Sequence, residues 1–447
     1  MKFAYALVLA LTVGTVNAST TIAVIDSGLD FKHEMITPNL WMNANETYDN
    51  RDNDGNGYQD DVHGWNFAEQ NGQVIDYKYL GTFSDDCKKY FDIQGKMFLK
   101  LATEAEIAWL KEKVQDKDFI KEMGKFGNFV HGTHVAGITI QNSNNKAMGI
   151  KLLPTEVGLI FDGLAKKANQ KSMAADRWSI LNSAFTALAA QQMNLLTEIA
   201  RFVDSHKASV ANGSFGTGFN QAKMITNTAF RVIFFRKPTE EESNKAARMF
   251  IEAMVSEGQR MAAAAPNTLF VFAAGNDGMS NDEFGTSPAN IKADNVITVG
   301  ATYKNEFFAP FSNYGTKMVD IAAPGMLIKS AIPGNDYLEV SGTSQAAPYV
   351  ANVAAKIKSA NPALKPVDVK AILMGTVDKK GFLSDKVMTA GIVNLDRAVV
   401  AAEMTKSMTV TEAISRAKTQ VRDVKSEGKK SFQFSKITPI PLSPMFK

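Results

Sequence analysis

Four short segments, far apart along the chain, hold side chains whose types suit acyl transfer. They are Ala23-Val24-Ile25-Asp26-Ser27-Gly28, His131-Gly132-Thr133-His134, Ala274-Gly275-Asn276 and Gly342-Thr343-Ser344-Gln345-Ala346-Ala347-Pro348. A serine hydroxyl is a weak nucleophile at neutral pH. It needs an imidazole to take its proton, a carboxylate to orient that imidazole, and donors to hold the oxyanion that develops. The four segments supply one candidate for each need. Singly, an Asp, Ser or Asn at the edge of a helix or strand usually caps it. The set, in this order and with these neighbours, points to chemistry.

Phe311-Ser312-Asn313-Tyr314-Gly315 and Ala322-Ala323-Pro324-Gly325 fall between the third and fourth segments, and with them the pattern resembles the subtilisin-like serine peptidases, the subtilases, over roughly residues 20–402. The resemblance implies Ser344 as nucleophile, His131 as general base and later acid, and Asp26 as the orienting carboxylate. Asn276 becomes the side-chain oxyanion donor, with the Ser344 backbone N–H as the second. It further implies that Ser214-Phe215-Gly216, ending the strand that starts at Asn212, pairs with an extended peptide substrate. The pocket for the residue before the scissile bond then lies between this strand and Ala273-Ala274-Gly275. Thr286 falls at its base, where a side chain larger than Gly shortens the pocket and favours small to medium residues. His134 and His33 match structural histidines of the family, and His63 and His206 have no identifiable partner. Gln345 is a departure, because many relatives carry Met there and a buried amide needs a hydrogen-bond partner.

Asn50-Arg51-Asp52-Asn53-Asp54-Gly55-Asn56-Gly57-Tyr58-Gln59-Asp60-Asp61 places oxygen-bearing side chains at alternate positions, with Gly for the turn and a carboxylate at the end. A hard cation such as calcium needs that kind of cage, and Asn50, Asp52, Asp54, Asn56, Tyr58 and Asp61 are the candidate ligands. Gly64-Trp65-Asn66-Phe67 then continues as in subtilases that carry a metal-bound loop here.

These residues need elements to position them. Thr21-Ile22-Ala23-Val24-Ile25 and Leu269-Phe270-Val271-Phe272-Ala273-Ala274 read as buried parallel strands ending at Asp26 and before Asn276. Val296-Ile297-Thr298-Val299 and Met318-Val319-Asp320-Ile321-Ala322 read as further strands, and 193–203 as a helix. The alternation predicts an α/β fold with a doubly wound, mostly parallel central sheet and helices on both faces, where sites form at strand carboxyl ends. His131 and Ser344 are each expected to open a helix, with Gly342 allowing a tight turn and Pro348 inside the first helical turn. Helical insertions are expected near 68–129, 153–177 and 220–266, the first with a charged helix over 103–121.

A chain of 447 residues, 45% hydrophobic and 21% charged, can bury one large core. Met1-Lys2, an apolar run from Phe3 to Val13 and Val16-Asn17-Ala18 have the three regions of a secretory signal over residues 1–18. No apolar run reaches membrane-spanning length, so the expectation is a secreted or periplasmic protein with no transmembrane segment. Cleavage after Ala18 leaves seven residues before Asp26. That is no room for an amino-terminal prosegment, so a separate inhibitor or folding chaperone enters as a possible partner beside the polypeptide substrate. Cys87 stands alone and can form no internal disulfide. Residues 404–447 carry nine Lys or Arg against three acids, while 19–403 is net negative, and this basic tail is expected to be disordered. It lacks a nucleic-acid recognition pattern. The function that follows is a calcium-stabilised serine endopeptidase of 19–403, against two rivals, a noncatalytic peptide-binding scaffold and a transpeptidase or processing enzyme using the same acyl-enzyme.

Overall fold

Thr21–Asp26 (β1) is apolar on both sides and buried along nearly its whole length, as a strand covered on two faces must be. The computed structural model describes residues 19–156 and 177–425. Its further strands are β2 (Gly64–Asn66), β3 (Lys146–Lys151), β4 (Val210–Gly213), β5 (Thr217–Gly218), β6 (Leu269–Ala273), β7 (Thr286–Ser287), β8 (Val296–Tyr303), β9 (Phe307–Phe308), β10 (Ile321–Pro324), β11 (Ile328–Ile332), β12 (Asp336–Val340), β13 (Asp378–Lys379) and β14 (Gly391–Ile392). The helices are α1 (Asp85–Phe98), α2 (Glu104–Lys113), α3 (Lys117–Ile140), α4 (Arg177–Ser205), α5 (Phe219–Phe234), α6 (Glu240–Ala264), α7 (Thr343–Ala360), α8 (Pro366–Gly375), α9 (Leu395–Met404) and α10 (Val410–Gln420).

The main sheet runs β13-β14-β10-β8-β6-β4-β1-β3-β2, with β9 on β8. It is parallel except where β13 meets β14 and β9 meets β8. Alternate residues of β1 serve opposite faces. Ala23 and Ile25 pack with α4, α5 and α6, whereas Ile22 joins the cluster built from α7, α8 and α9. From β1 the chain moves to β3 on one side and to β4, β6 and β8 on the other. Such a switch opens a crevice at the carboxyl ends of the strands. Asp26 ends β1, Ser214 follows β4, and Asn276 follows β6.

The structure changes several expectations. The charged helix over 103–121 is two helices, broken at 114–116, where the Asp116 side chain accepts the N–H groups of Asp118 and Phe119 and starts α3. His131 therefore lies well inside α3 and does not open a helix. The strand expected from Met318 begins only at Ile321. The expected disordered tail starts with an ordered helix, α10. It is held because Arg397, 3% exposed, donates to the Val421 carbonyl and pairs with Asp423 at 2.6 Å and with Asp378 at 3.0 Å. The signal segment, most of the insertion near 153–177 and the tail beyond 425 lie outside the described residues. Among the described residues no helix is long and apolar enough to cross a membrane.

Candidate active site

At the carboxyl end of β1, Asp26 is 1% exposed and its Oδ1 lies 2.6 Å from His131 Nδ1. The same oxygen accepts the Ser27 N–H at 2.8 Å, which fixes the carboxylate plane. Ser27 in turn accepts the Gly132 N–H through its hydroxyl at 3.1 Å, so strand and helix are tied on both sides of the imidazole. Gly132 makes that approach possible, because a Cβ there would lie 2.0 Å from the Gly28 carbonyl oxygen. Burial alone pushes the His131 pKa down, but the charge of Asp26 and its hydrogen bond outweigh it, and the net direction is up. With Nδ1–H donated to Asp26, Nε2 is the basic nitrogen. It lines the cleft, and nothing among the described residues hydrogen-bonds it.

Ser344 is the second residue of α7, in the first turn, where backbone N–H groups have no intrahelical acceptor and favour an oxyanion. Its hydroxyl donates to the Ser214 carbonyl at 3.2 Å, which holds the nucleophile at rest. Pro348 is the sixth residue of α7, beyond the first turn where the sequence reading put it. Lacking an N–H, it leaves the Ser344 carbonyl without a helical donor. The Ser214 hydroxyl fills that gap at 3.0 Å. Gly342 has an extended backbone, φ 173°, so its conformation does not require glycine. A Cβ there would lie 2.8 Å from Gln345 Oε1, the movable end of that side chain. Asn276 Oδ1 accepts both the N–H and the hydroxyl of Thr343, at 2.8 and 3.0 Å. Its amide is thereby oriented with Nδ2 free to donate into the cleft.

These groups share a cavity of about 440 Å³. Ser214, Phe215, Gly216, Gly275 and Thr286 line it as expected, but Ala274 does not. Ala274 is fully buried, with its N–H on the Val299 carbonyl. Thr286 is held by Asn281 and Asn313 at 2.9 and 3.2 Å, which fixes its side chain in the cavity lining. Sequence reasoning missed Tyr90, Phe91, Gln94 and Phe98 of α1, and Asp277. The spacing of the α1 four, one helical face, was the available signal.

His134 donates from Nε2 to the carbonyls of Ile328 and Leu338, and desolvation drives its pKa down to about 4. His33 is bonded from both ring nitrogens, to the Met35 N–H and the Asp336 carbonyl. Both are structural, as the resemblance implied. Burial, aided by the Glu122 carboxylate, pushes the Cys87 thiol up to about 12, so it stays protonated.

In the acidic loop, oxygen atoms of Asp52 and Asp54 converge with Glu46, and Asp54 and Asp61 converge with His206. A divalent cation would suit this excess of carboxylates. Tyr58 is a different case from the expected ligand, since its ring packs against Trp65, Phe67 and Phe202 and its hydroxyl donates to Glu198. Asn56 donates its amide to Asp61, and the positive-φ turn at Asn50 is tied by its N–H to Asp60. Glu46 and His206 were not found from sequence. Glu46 accepts the N–H groups of Asn53, Asp54 and Asp60, which organises the loop from outside the motif.

The fold and the cleft together define a subtilisin-like protein. The chain belongs to the Subtilase family, which it matches over residues 17–391. It is similar to Subtilisin-like protease 1 of Plasmodium falciparum (isolate 3D7), 25% identical over 409 residues that cover 89% of this chain and 46% of that one. An extracellular protease of Xanthomonas campestris pv. campestris is 32% identical over 286 residues, 61% of this chain and 40% of the relative. Alkaline elastase YaB of Bacillus sp. (strain YaB) is 40% identical over 136 residues, 30% and 34% of the two chains. The chain thus spans under half the length of these relatives. Among solved structures, a cold adapted subtilisin-like serine proteinase is 20% identical, covers 83% of this chain and 89% of its own, and has a TM-score of 0.41.

Proposed function

We propose that this chain is an exported, calcium-stabilised serine endopeptidase. The observation that carries the reading is the Asp26–His131 bond of 2.6 Å, which leaves a buried, unpartnered Nε2 in the same cleft as Ser344. In the reaction, His131 takes the Ser344 proton as the hydroxyl swings from the Ser214 carbonyl to the substrate carbonyl carbon. Asn276 Nδ2 and the Ser344 N–H hold the oxyanion. His131 then protonates the departing amine, and water, activated the same way, releases the acid. The substrate lies along Ser214-Phe215-Gly216 by backbone pairing, and the fixed Thr286 limits the residue before the scissile bond to small or medium side chains.

Export rests on residues 1–18 and on the extracellular protease among the relatives. Calcium would be held by Asp52, Asp54 and Glu46, with Asp61 meeting Asp54 on the His206 side, cancelling the repulsion among the carboxylates and pinning the loop to the sheet edge at Gly64. A fluorophosphonate should label the protein, and Ser344→Ala should abolish the label. A folded, unlabelled protein would favour the noncatalytic scaffold. Chelation should lower the melting temperature of the unmodified protein and leave that of Asp54→Ala unchanged. Identical responses in both would remove calcium from the loop. Mass analysis of products with added amines separates hydrolysis from transpeptidation.

A further inference from the structure

The wall of the cleft built by α1 has no part in the chemistry above. Tyr90, Phe91, Gln94 and Phe98 line the cavity together with His131 and Ser344. Two contacts seat this helix. At Gly95 a Cβ would lie 3.2 Å from Glu339 Oε1 and 3.3 Å from Leu327 Cδ2, so α1 is pressed onto the ends of the β11–β12 hairpin. The Phe98 ring lies 6.3 Å from that of Phe311, another lining residue. The hairpin runs from Val340, also in the lining, directly into Ser341 and the nucleophile turn. The α1 wall is thereby fixed beside His131 and Val340, while the Ser214–Gly216 segment continues into β5, which pairs with β7 at Thr286.

The chemistry decides what this wall meets. The acyl part of a substrate remains on Ser344, along Ser214–Gly216, while His131 hands its proton to the departing amine. The chain that carries that amine runs out past His131, toward α1. The lining there is apolar, with Phe91, Phe98, Phe311, Met123 and Val340, and Gln94 as a neutral hydrogen-bonding group. Apart from His131 and the Tyr90 phenol, the ionisable group in the lining is Asp277, which leans over Gly218 on the acyl side.

We propose that α1 forms the leaving-group subsite and selects a large apolar residue immediately after the scissile bond, with Phe98 as its main determinant. The inference rests on the peptidase reading. The same subsite receives any amine that resolves the acyl-enzyme. The amine nitrogen bonds to the acyl carbon, the bond from that carbon to Ser344 Oγ breaks, and the amine proton passes through His131 to Oγ. Water in place of the amine gives the acid.

The full chain is acylated with a small peptide ester in the presence of equal concentrations of phenylalanine, leucine, alanine, aspartate or lysine amide. Aminolysis and hydrolysis products are then quantified by mass. The aminolysis-to-hydrolysis ratio should be roughly ten-fold higher for phenylalanine and leucine amides than for aspartate and lysine amides. Phe98→Ala should narrow this to about two-fold, and Phe98→Leu should keep most of it. Both products come from one acyl-enzyme, so the ratio does not depend on how much of a variant folds. Equal ratios for all amines, or a charged amine preferred, with the ester still turned over, would overturn the subsite and leave the peptidase standing. An apolar preference untouched by Phe98→Ala and Phe91→Ala would overturn the assignment to α1. No ester turnover would overturn the peptidase and the subsite together.

Discussion

Asp26 and His131 set the pH at which the site works. Their contact raises the imidazole pKa above its ordinary 6.5 despite burial, so the neutral base is lost as pH falls through that raised value. The acid limb of kcat/KM against pH should have its midpoint above 6.5, and Asp26→Asn should move it lower while cutting kcat by about four orders of magnitude. A midpoint below 6.5 in the unmodified protein would contradict the pairing. The linkage to stability runs the other way from the rate. The His131 contribution is full below 6.5 and is lost as pH rises past the raised value. Asn276 gives a second residue-scale prediction. With its Oδ1 held by Thr343, Asn276→Ala should lower kcat about 10²- to 10³-fold and leave KM nearly unchanged, the loss established for such a donor in subtilisin. An equal fall in affinity would mean that the amide binds substrate instead. That Asp26, His131, Asn276 and Ser344 meet at one cleft was legible in sequence because each sits in a local frame of a few residues. The bond from Ser214 to the Ser344 carbonyl was not, since it joins positions 130 apart and arises from what Pro348 lacks.

At the level of elements, the helix carrying His131 is located by a glycine that helix propensity would reject. Replacing Gly132 by Ala should favour an isolated helix by about 1 kcal/mol. Here the added Cβ meets the Gly28 carbonyl at 2.0 Å, so α3 must shift away from β1. Gly132→Ala should therefore destabilise the protein by roughly 1–3 kcal/mol and slow fluorophosphonate labelling more than the lost stability explains. A melting temperature at or above that of the unmodified protein would refute the close packing. Strands β1, β6 and β8 were readable because buried parallel strands are continuous apolar runs, and the start of α7 because Ser344 lies in a recognisable turn. Helix α3 was misread from the same kind of signal. Its first half, from Lys117, is polar and charged on its outer side, and the Asp116 cap that starts it looks in sequence like another charge in a charged stretch.

For the whole molecule, the carboxy-terminal boundary is the point where composition misled. Lys- and Ser-rich sequence from 404 suggests a solvated tail, yet Arg397 takes three of its partners from Thr376, Val421 and Asp423. Ending the chain at 404 should leave a buried guanidinium short of acceptors. Asp378 still pairs with it, so a loss of roughly 1–3 kcal/mol is expected, read as a lower denaturation midpoint, whereas ending the chain at 425 keeps Val421 and Asp423 in place. Equal midpoints for both truncations would return α10 to the status of an appendage. Long-range pairing of this kind leaves no local trace, and the same holds for Glu46 and His206 around the acidic loop.

The continuity of Lys117–Ile140 bears on how such a protein can be recombined with its relatives. Its 24 residues form a rod about 36 Å long, with the catalytic imidazole near the middle and Asn352 of α7 donating to the Ile138, Thr139 and Gln141 carbonyls at the far end. A chimera that treats 68–129 as a removable cassette would cut this rod two residues before His131 and leave the base on a frayed end. The workable seam lies upstream, at the break between α2 and α3 around 114–116, so the histidine travels with the end of the insertion, 117–129, in any exchange of parts.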